Sequence, residues 1–323
     1  MWYVLILLIA LSATFIIFLY VPYRTEIARA YEELEGIERR SVETDLGEIE
    51  YAVRGEGYPV MVIHGISGGH DQALGLAEEH LADSYMAILP SRFGYLGTLM
   101  PENASPASQA DAFAALLDEL GVEEAAVMAY SAGGASAIQF ALRHPERISA
   151  LVLVSTAPWA EESDKNISLP PEFIVRTVFG SDFIFWTMMT RLRRFTAPMI
   201  GVPREYERSE EEDDIVRDLM RSILPVGPRT AGAVFDMYVT NLDMAINRGL
   251  YPLDEISVPT LMINAVDDPF ANYEYARKAS EHIPNAKFVS IPQGGHVILG
   301  SGETVKSEID LFLNRVILGE IAN

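Results

Sequence analysis

The sequence predicts an α/β fold, a mostly parallel doubly wound sheet with a helical insertion, preceded by one membrane-crossing helix. Three observations predict it. From residue 41 onward short β-like runs alternate with helical ones, the rhythm of strands joined by crossover helices. The run Pro59-Val60-Met61-Val62-Ile63 is apolar on both faces, as a strand covered by helices on each side must be. Residues 2–22 read WYVLILLIALSATFIIFLYVP and carry no charge.

Taken in order, that first segment would form about 31 Å of helix, enough to cross a hydrocarbon core. Trp2 and Tyr3 at one end and Tyr20 and Tyr23 at the other suit the two membrane interfaces. A cleaved signal peptide is the rival reading, with Ala28-Arg29-Ala30 as a small-residue site, but no basic region precedes the run and the run exceeds a signal core. A buried core helix is a third reading, and such helices seldom run this long without a polar face. Arg24, Arg29, Arg39 and Arg40 follow the span and no Lys or Arg precedes it, so the positive-inside bias places the large domain in the cytoplasm. Ile27, Tyr31, Leu34 and Ile37 recur at helical intervals, which predicts an amphipathic stalk helix over residues 24–40, after a span at residues 1–23.

Strands are expected at Glu48 to Val53 in an initial meander, then at Pro59 to Ile63, Tyr85 to Leu89, Ala125 to Ala129, Ala150 to Val154, Thr260 to Asn264 and Lys287 to Ile291. Helices fit Pro106 to Glu119, Ala132 to Arg143, Tyr273 to His282 and Glu303 to Val316. Between Val154 and Thr260 the rhythm breaks for about a hundred residues, the length of a lid or cap. This insertion, at about residues 158–255, lies within one domain spanning 41–318, followed by a tail at 319–323. Its Phe183, Phe185, Trp186, Met188, Met189, Phe195 and Met199 either line an apolar substrate pocket or seat the insertion on the core. Its acidic run, Glu210-Glu211-Glu212-Asp213-Asp214, reads as a solvated helix face.

Composition excludes several functions. Of the 323 residues, 24 are Lys or Arg and 46 are Asp or Glu, a formal charge of −22 that argues against nucleic acid as a partner, because that affinity comes from basic side chains. With no cysteine there is no disulfide and no Cys-ligated metal site. The six histidines show no pair at metal-binding helical spacing, so neither a metal nor a cofactor is expected.

Chemistry is carried by three places that each follow a strand. Ala125-Ala126-Val127-Met128-Ala129-Tyr130-Ser131-Ala132-Gly133-Gly134 sets a serine on a strand-to-helix turn with small residues two before and two after, as a strained nucleophile turn requires. A serine capping an ordinary helix is the other reading. Ile63-His64-Gly65-Ile66-Ser67-Gly68-Gly69 follows the first buried strand, and it lacks both the Gly-Lys-Ser/Thr ending of a phosphate loop and dinucleotide glycine spacing. Asp267-Asp268 and His296 follow the last two strands, at the edge where open α/β sheets build their sites.

These motifs resemble the α/β-hydrolase superfamily over residues 41–318. The resemblance identifies Ala129-Tyr130-Ser131-Ala132-Gly133 with its Gly-x-Ser-x-Gly turn, with Ala for the first Gly. It implies Ser131 as nucleophile, His296 as base and Asp268 as the orienting acid, with Asp267 still possible. It also implies an oxyanion hole from the backbone amides of Ile66 and Ala132. His64 is then structural, and Arg92, in the loop after the next strand, is either a structural tie or a pocket cation. A serine, not an aspartate, at the turn points to acyl chemistry on a carboxylic ester or a related bond. Lid and anchor together favour a hydrophobic acyl substrate. The competing expectation is a membrane-tethered binding or signalling protein that keeps the scaffold without turnover.

Overall fold

The computed structural model describes residues 2–161, 164, 167–192 and 197–321. Eight strands form one sheet: β1 (Arg40–Thr44), β2 (Gly47–Arg54), β3 (Tyr58–Ile63), β4 (Tyr85–Pro90), β5 (Ala125–Tyr130), β6 (Ile148–Val154), β7 (Thr260–Ala265) and β8 (Ala286–Ile291). Their spatial order is β1-β2-β4-β3-β5-β6-β7-β8. The pairs β1/β2 and β2/β4 are antiparallel and the remainder of the sheet is parallel. Strand β1 is absent from the sequence reading because Arg40-Ser41-Val42-Glu43-Thr44 sits half exposed at the sheet edge, where no apolar run is needed.

Alternation along the buried strands divides the core into two layers. Met61, Ile63, Val127, Ala129, Leu151 and Leu153 face one side, packed with Phe113 of helix α4 (Pro106–Glu119) and Phe140 of helix α5 (Gly133–Arg143). Val60, Val62, Ala126, Met128 and Val152 face the other, packed with Ala73 and Ala77 of helix α3 (His70–His80) and with Ile309, Phe312 and Leu313 of the long C-terminal helix (Gly302–Ile317). Because every parallel strand points the same way, the turns after β3, β5, β6, β7 and β8 gather at one edge.

The N-terminal helix runs from Trp2 to Gly36 without a break, as α1 (Trp2–Phe15), a π turn (Ile16–Tyr20) and α2 (Val21–Gly36). The stalk expected through Arg40 stops earlier. Gly36 is a poor helix former, Ile37 is extended at φ −78°, ψ 123°, and Arg40 opens β1.

Between β6 and β7 the insertion contributes α6 (Glu172–Phe179), α7 (Asp182–Arg191), α8 (Glu210–Ser222), α9 (Thr230–Phe235), a π turn (Asp236–Thr240) and α10 (Asn241–Ile246). The acidic run opens α8, where Ser209 and Glu212 form a capping box and the carboxylates sit at the positive end of the helix dipole. Most of the aromatic stripe of α7 seats the insertion, on a surface the sequence did not suggest. Phe185, Trp186 and Met189 are buried in a third cluster together with Val216, Met220 and Ile27, the last only 5% exposed on α2. Phe183 packs its ring 6.0 Å from Phe15 and 5.1 Å from Tyr23. Met188 is half-buried, Met199 is exposed, and Phe195 lies outside the described residues.

Candidate active site

Ser131 stands where β5 turns into α5, with φ at +50°, a left-handed conformation that costs a β-carbon residue strain. Its neighbours hold it there. The Ser131 amide donates to the Val154 carbonyl at 3.1 Å and its own carbonyl accepts from Gly134 at 3.0 Å. A β-carbon at Gly133 would come within 2.7 Å of the His64 carbonyl, so the position two after the serine admits only glycine. Ala129, two before it, has its methyl wholly inside the core, which explains why alanine is accepted there.

Three side chains meet at the sheet edge. His296 Nε2 lies 2.7 Å from Ser131 Oγ, and its Nδ1 lies 2.8 Å from Asp268 Oδ2. The Asp268 side chain is fully buried, and its Oδ1 accepts from the Phe270 and Ala271 amides at 2.8 and 2.9 Å. Asp267 faces elsewhere, and its carboxylate accepts from the Gly294 and Gly295 amides at 3.2 and 2.9 Å. The two adjacent acids therefore divide their contacts, Asp268 on the histidine ring and Asp267 on the turn that carries the histidine. Ser155, itself at φ +49°, donates to the His296 carbonyl at 2.6 Å, and Gly201 of the insertion accepts from the His296 amide at 2.9 Å.

The His64-Gly65-Ile66 loop abuts the serine, since a β-carbon on Gly65 would sit 3.2 Å from Ser131 Cβ. Its orientation comes from the planar trans peptide, in which the carbonyl and the next amide point in opposite directions. The Gly65 carbonyl accepts from His64 Nδ1 at 2.7 Å and from Arg92 Nη2 at 2.9 Å, so the Ile66 N–H is turned away from both. Among the described residues neither the Ile66 nor the Ala132 amide donates to a protein acceptor. His64 is a fixed tautomer: its Nε2 accepts from the Arg92 amide at 2.9 Å, leaving the proton on Nδ1. Burial first, and the Arg92 charge second, push His64 well below the usual histidine range, so the ring stays neutral.

Arg92 is a structural tie. Burial opposes its charge, but the bidentate pair with Asp236 outweighs this and holds the guanidinium above its ordinary value. Tyr95 joins the same carboxylate through its hydroxyl, which also accepts from the Ser67 amide at 3.2 Å. A second tie runs in the opposite sense. Arg229 of the insertion, 1% exposed, pairs with Asp71 at 2.9 and 2.6 Å and donates to the Gly68 carbonyl at 2.7 Å. The loop beside the serine is thus clamped at Gly65 and Gly68 by two buried arginines, one from each side of the cap junction. Asp236, Arg229 and Ser155 are absent from the sequence reading, and no local pattern marks them.

The other histidines lie outside this group. His144 contacts Asp111 at 2.8 Å, His282 packs 4.5 Å from the Trp159 ring, and His70 contacts Ser91 and Glu50 at 3.1 and 3.2 Å. His80 is stacked on Tyr130. Among the described residues no cluster of three His, Asp or Glu could hold a metal ion.

A serine on a strained strand-to-helix turn, on the loop edge of a mostly parallel sheet, defines the layout of an α/β hydrolase. The chain belongs to the α/β-hydrolase superfamily and is a hydrolase of that class. A family profile described as alpha/beta hydrolase fold matches residues 58–182, and one described as TAP-like protein matches residues 248–318. The chain is 30% identical to YcgS, an uncharacterized hydrolase of Bacillus subtilis, across 80% of this chain and 93% of that one. It is 24% identical to 2-hydroxymuconate semialdehyde hydrolase of Pseudomonas putida, across 75% of this chain and 82% of that one. Among solved structures, an α/β-hydrolase fold protein from Nakamurella multipartita superposes with a TM-score of 0.66 at 28% identity, covering 85% of this chain and 99% of the other.

Proposed function

We propose that the chain is a membrane-tethered serine hydrolase that cleaves a carboxylic ester or related acyl bond through an acyl-enzyme on Ser131. The observation that carries this is the continuous relay from Ser131 Oγ to His296 at 2.7 Å and on to Asp268 at 2.8 Å. His296 takes the Ser131 proton as the oxygen attacks the carbonyl, and Asp268 fixes the tautomer and stabilises the imidazolium. The oxyanion rests on the Ile66 and Ala132 amides, which need no reorganisation because their loops are already pinned. The proton on His296 then passes to the leaving group. A water deprotonated by the same ring attacks the acyl carbon, frees the acid and restores Ser131.

The tether is supported by a helix long and apolar enough to cross a membrane, with aromatic residues near both ends. Cleavage at Ala28 to Ala30 would tear Tyr23 and Ile27 out of a packed cluster, which favours an anchor over a removable signal.

The test is fluorophosphonate labelling of the detergent-solubilised chain, and then a panel of ester, thioester, lactone, amide and lipid substrates. Native protein should label and Ser131→Ala should not, with turnover of at least one acyl substrate lost in parallel by about 10⁶-fold. A folded native chain that neither labels nor turns over any of them would instead be a ligand-binding protein on the same scaffold.

A further inference from the structure

We propose that the cap is a second membrane contact, with helix α7 seated in the bilayer interface beside the anchor. The inference rests on the anchor proposed for the N-terminal helix and adds a depth to it. The apolar run of that helix ends at Pro22 and its first charge is Arg24. Beyond that point the cap meets the helix through Ile27, buried with Trp186 and Met189, and through the Arg221–Glu26 pair at 2.7 Å. It also meets it inside the run: Arg191 Nη2 donates to the Phe18 carbonyl at 2.6 Å, and Phe183, which packs on Tyr23 just past the run, reaches Phe15 within it. At 1.5 Å per residue, Phe18 lies about 6 Å and Phe15 about 10 Å inside the apolar end. That is the depth, about 5–10 Å, at which interfacial helices lie between headgroups and acyl chains.

Raising the membrane boundary to clear the cap fails on length. Of the described helix, Trp2–Phe15 would then remain in the hydrocarbon, about 21 Å against a core of about 30 Å. The chemistry of α7 suits the interface instead. The carboxylate of Asp182 is occupied by the Val226 and Gly227 amides at 2.7 and 3.3 Å. Arg191 lays its guanidinium over the Trp186 ring at 5.4 Å, a posture that keeps an apolar stem low and a charge at the headgroups. Leu192, next in sequence, is 48% exposed. Elsewhere in the insertion, the Gly201 carbonyl accepts from the His296 amide at 2.9 Å, so the cap also reaches the catalytic edge. The occupant of this face is a phospholipid bilayer surface.

The chain contains no cysteine, so single positions can be labelled without background. Full-length Ala10→Cys, Leu192→Cys and Glu124→Cys, each checked for native thermal unfolding, would carry an environment-sensitive fluorophore. Each would be reconstituted in phosphatidylcholine vesicles with nitroxide lipids labelled either near the headgroup or deep in the acyl chain. Position 10 lies in the anchor, and position 124 precedes β5 at the sheet edge opposite the site. The label at 192 should lose most of its emission to the shallow nitroxide and less to the deep one. The label at 10 should respond to the deep one, and the label at 124 to neither. A label at 192 as indifferent as that at 124, with position 10 still quenched, overturns the cap contact and leaves the anchor standing. Indifference at position 10 as well overturns the anchor.

Discussion

Asp267 and Asp268 are neighbours with separate tasks, and their substitutions should separate cleanly. Asp268→Asn keeps the geometry near the ring but no longer favours the required tautomer or imidazolium, so acyl turnover should fall by about 10⁴-fold with stability almost unchanged. Asp267→Asn weakens the anchoring of Gly294 and Gly295 and should cost about 2 kcal/mol in urea unfolding, while turnover stays within about tenfold of native. The reverse pattern would reassign the acid. His80 supplies a pH signature. Burial first, and Lys306 second, push it down to about 4. An unfolded histidine titrates near 6.5, so between those values the unfolded chain binds the extra proton and stability falls as pH falls. From pH 7 to pH 4.5 this one group should remove about 2.5 kcal/mol, and that part of the loss should be missing in His80→Phe when urea unfolding is measured at both pH values. Ser131, Asp268 and His296, the residues of the proposed triad, could be picked out in the sequence because each lies within five residues of the end of a strand. Asp236 and Arg229 could not, since their partners lie 144 and 158 residues away and only the fold brings them together.

Among the elements, the inner strands β3 to β7 were readable to within a residue or two because burial on both faces demands unbroken apolar runs. The edge strand β1 and helix α3 were unreadable for the opposite reason, as mixed sequences such as His70-Asp71-Gln72-Ala73-Leu74 carry little periodic signal. In the insertion the stripe of α7 was recognised as apolar, but its partner, the N-terminal helix, could not be inferred from periodicity. The junction between cap and body rests on the Arg92–Asp236 and Arg229–Asp71 pairs. Removing one partner of a buried pair leaves an uncompensated charge, so Arg92→Met should cost about 3–5 kcal/mol. Arg92→Met combined with Asp236→Leu should cost less than Arg92→Met alone, because neither charge is then stranded. Chemical denaturation of the two single variants and the double variant measures this coupling, and strict additivity would show that the pair is not coupled.

At the scale of the whole molecule, the excess hydrophobicity and the excess acidity separate in space. Residues 1–23 hold no charged side chain, so the net charge of −22 belongs entirely to residues 24–323. A body that negative would be repelled by anionic headgroups, which would leave the proposed membrane attachment to apolar contact. Order and spacing of motifs conveyed the fold class and the site edge, whereas the way the N-terminal helix, cap and body lock together is a property of tertiary packing alone.

The opposed sense of the two buried arginine pairs also bears on transplantation. A cap grafted from a homologue onto this body would have to bring an acid for Arg92 and a base for Asp71 together, because the body donates one charge of each sign. A donor cap with the two signs exchanged would face like with like at both joints. The pairs therefore act as a two-pin key that restricts which caps this body can accept in a chimera.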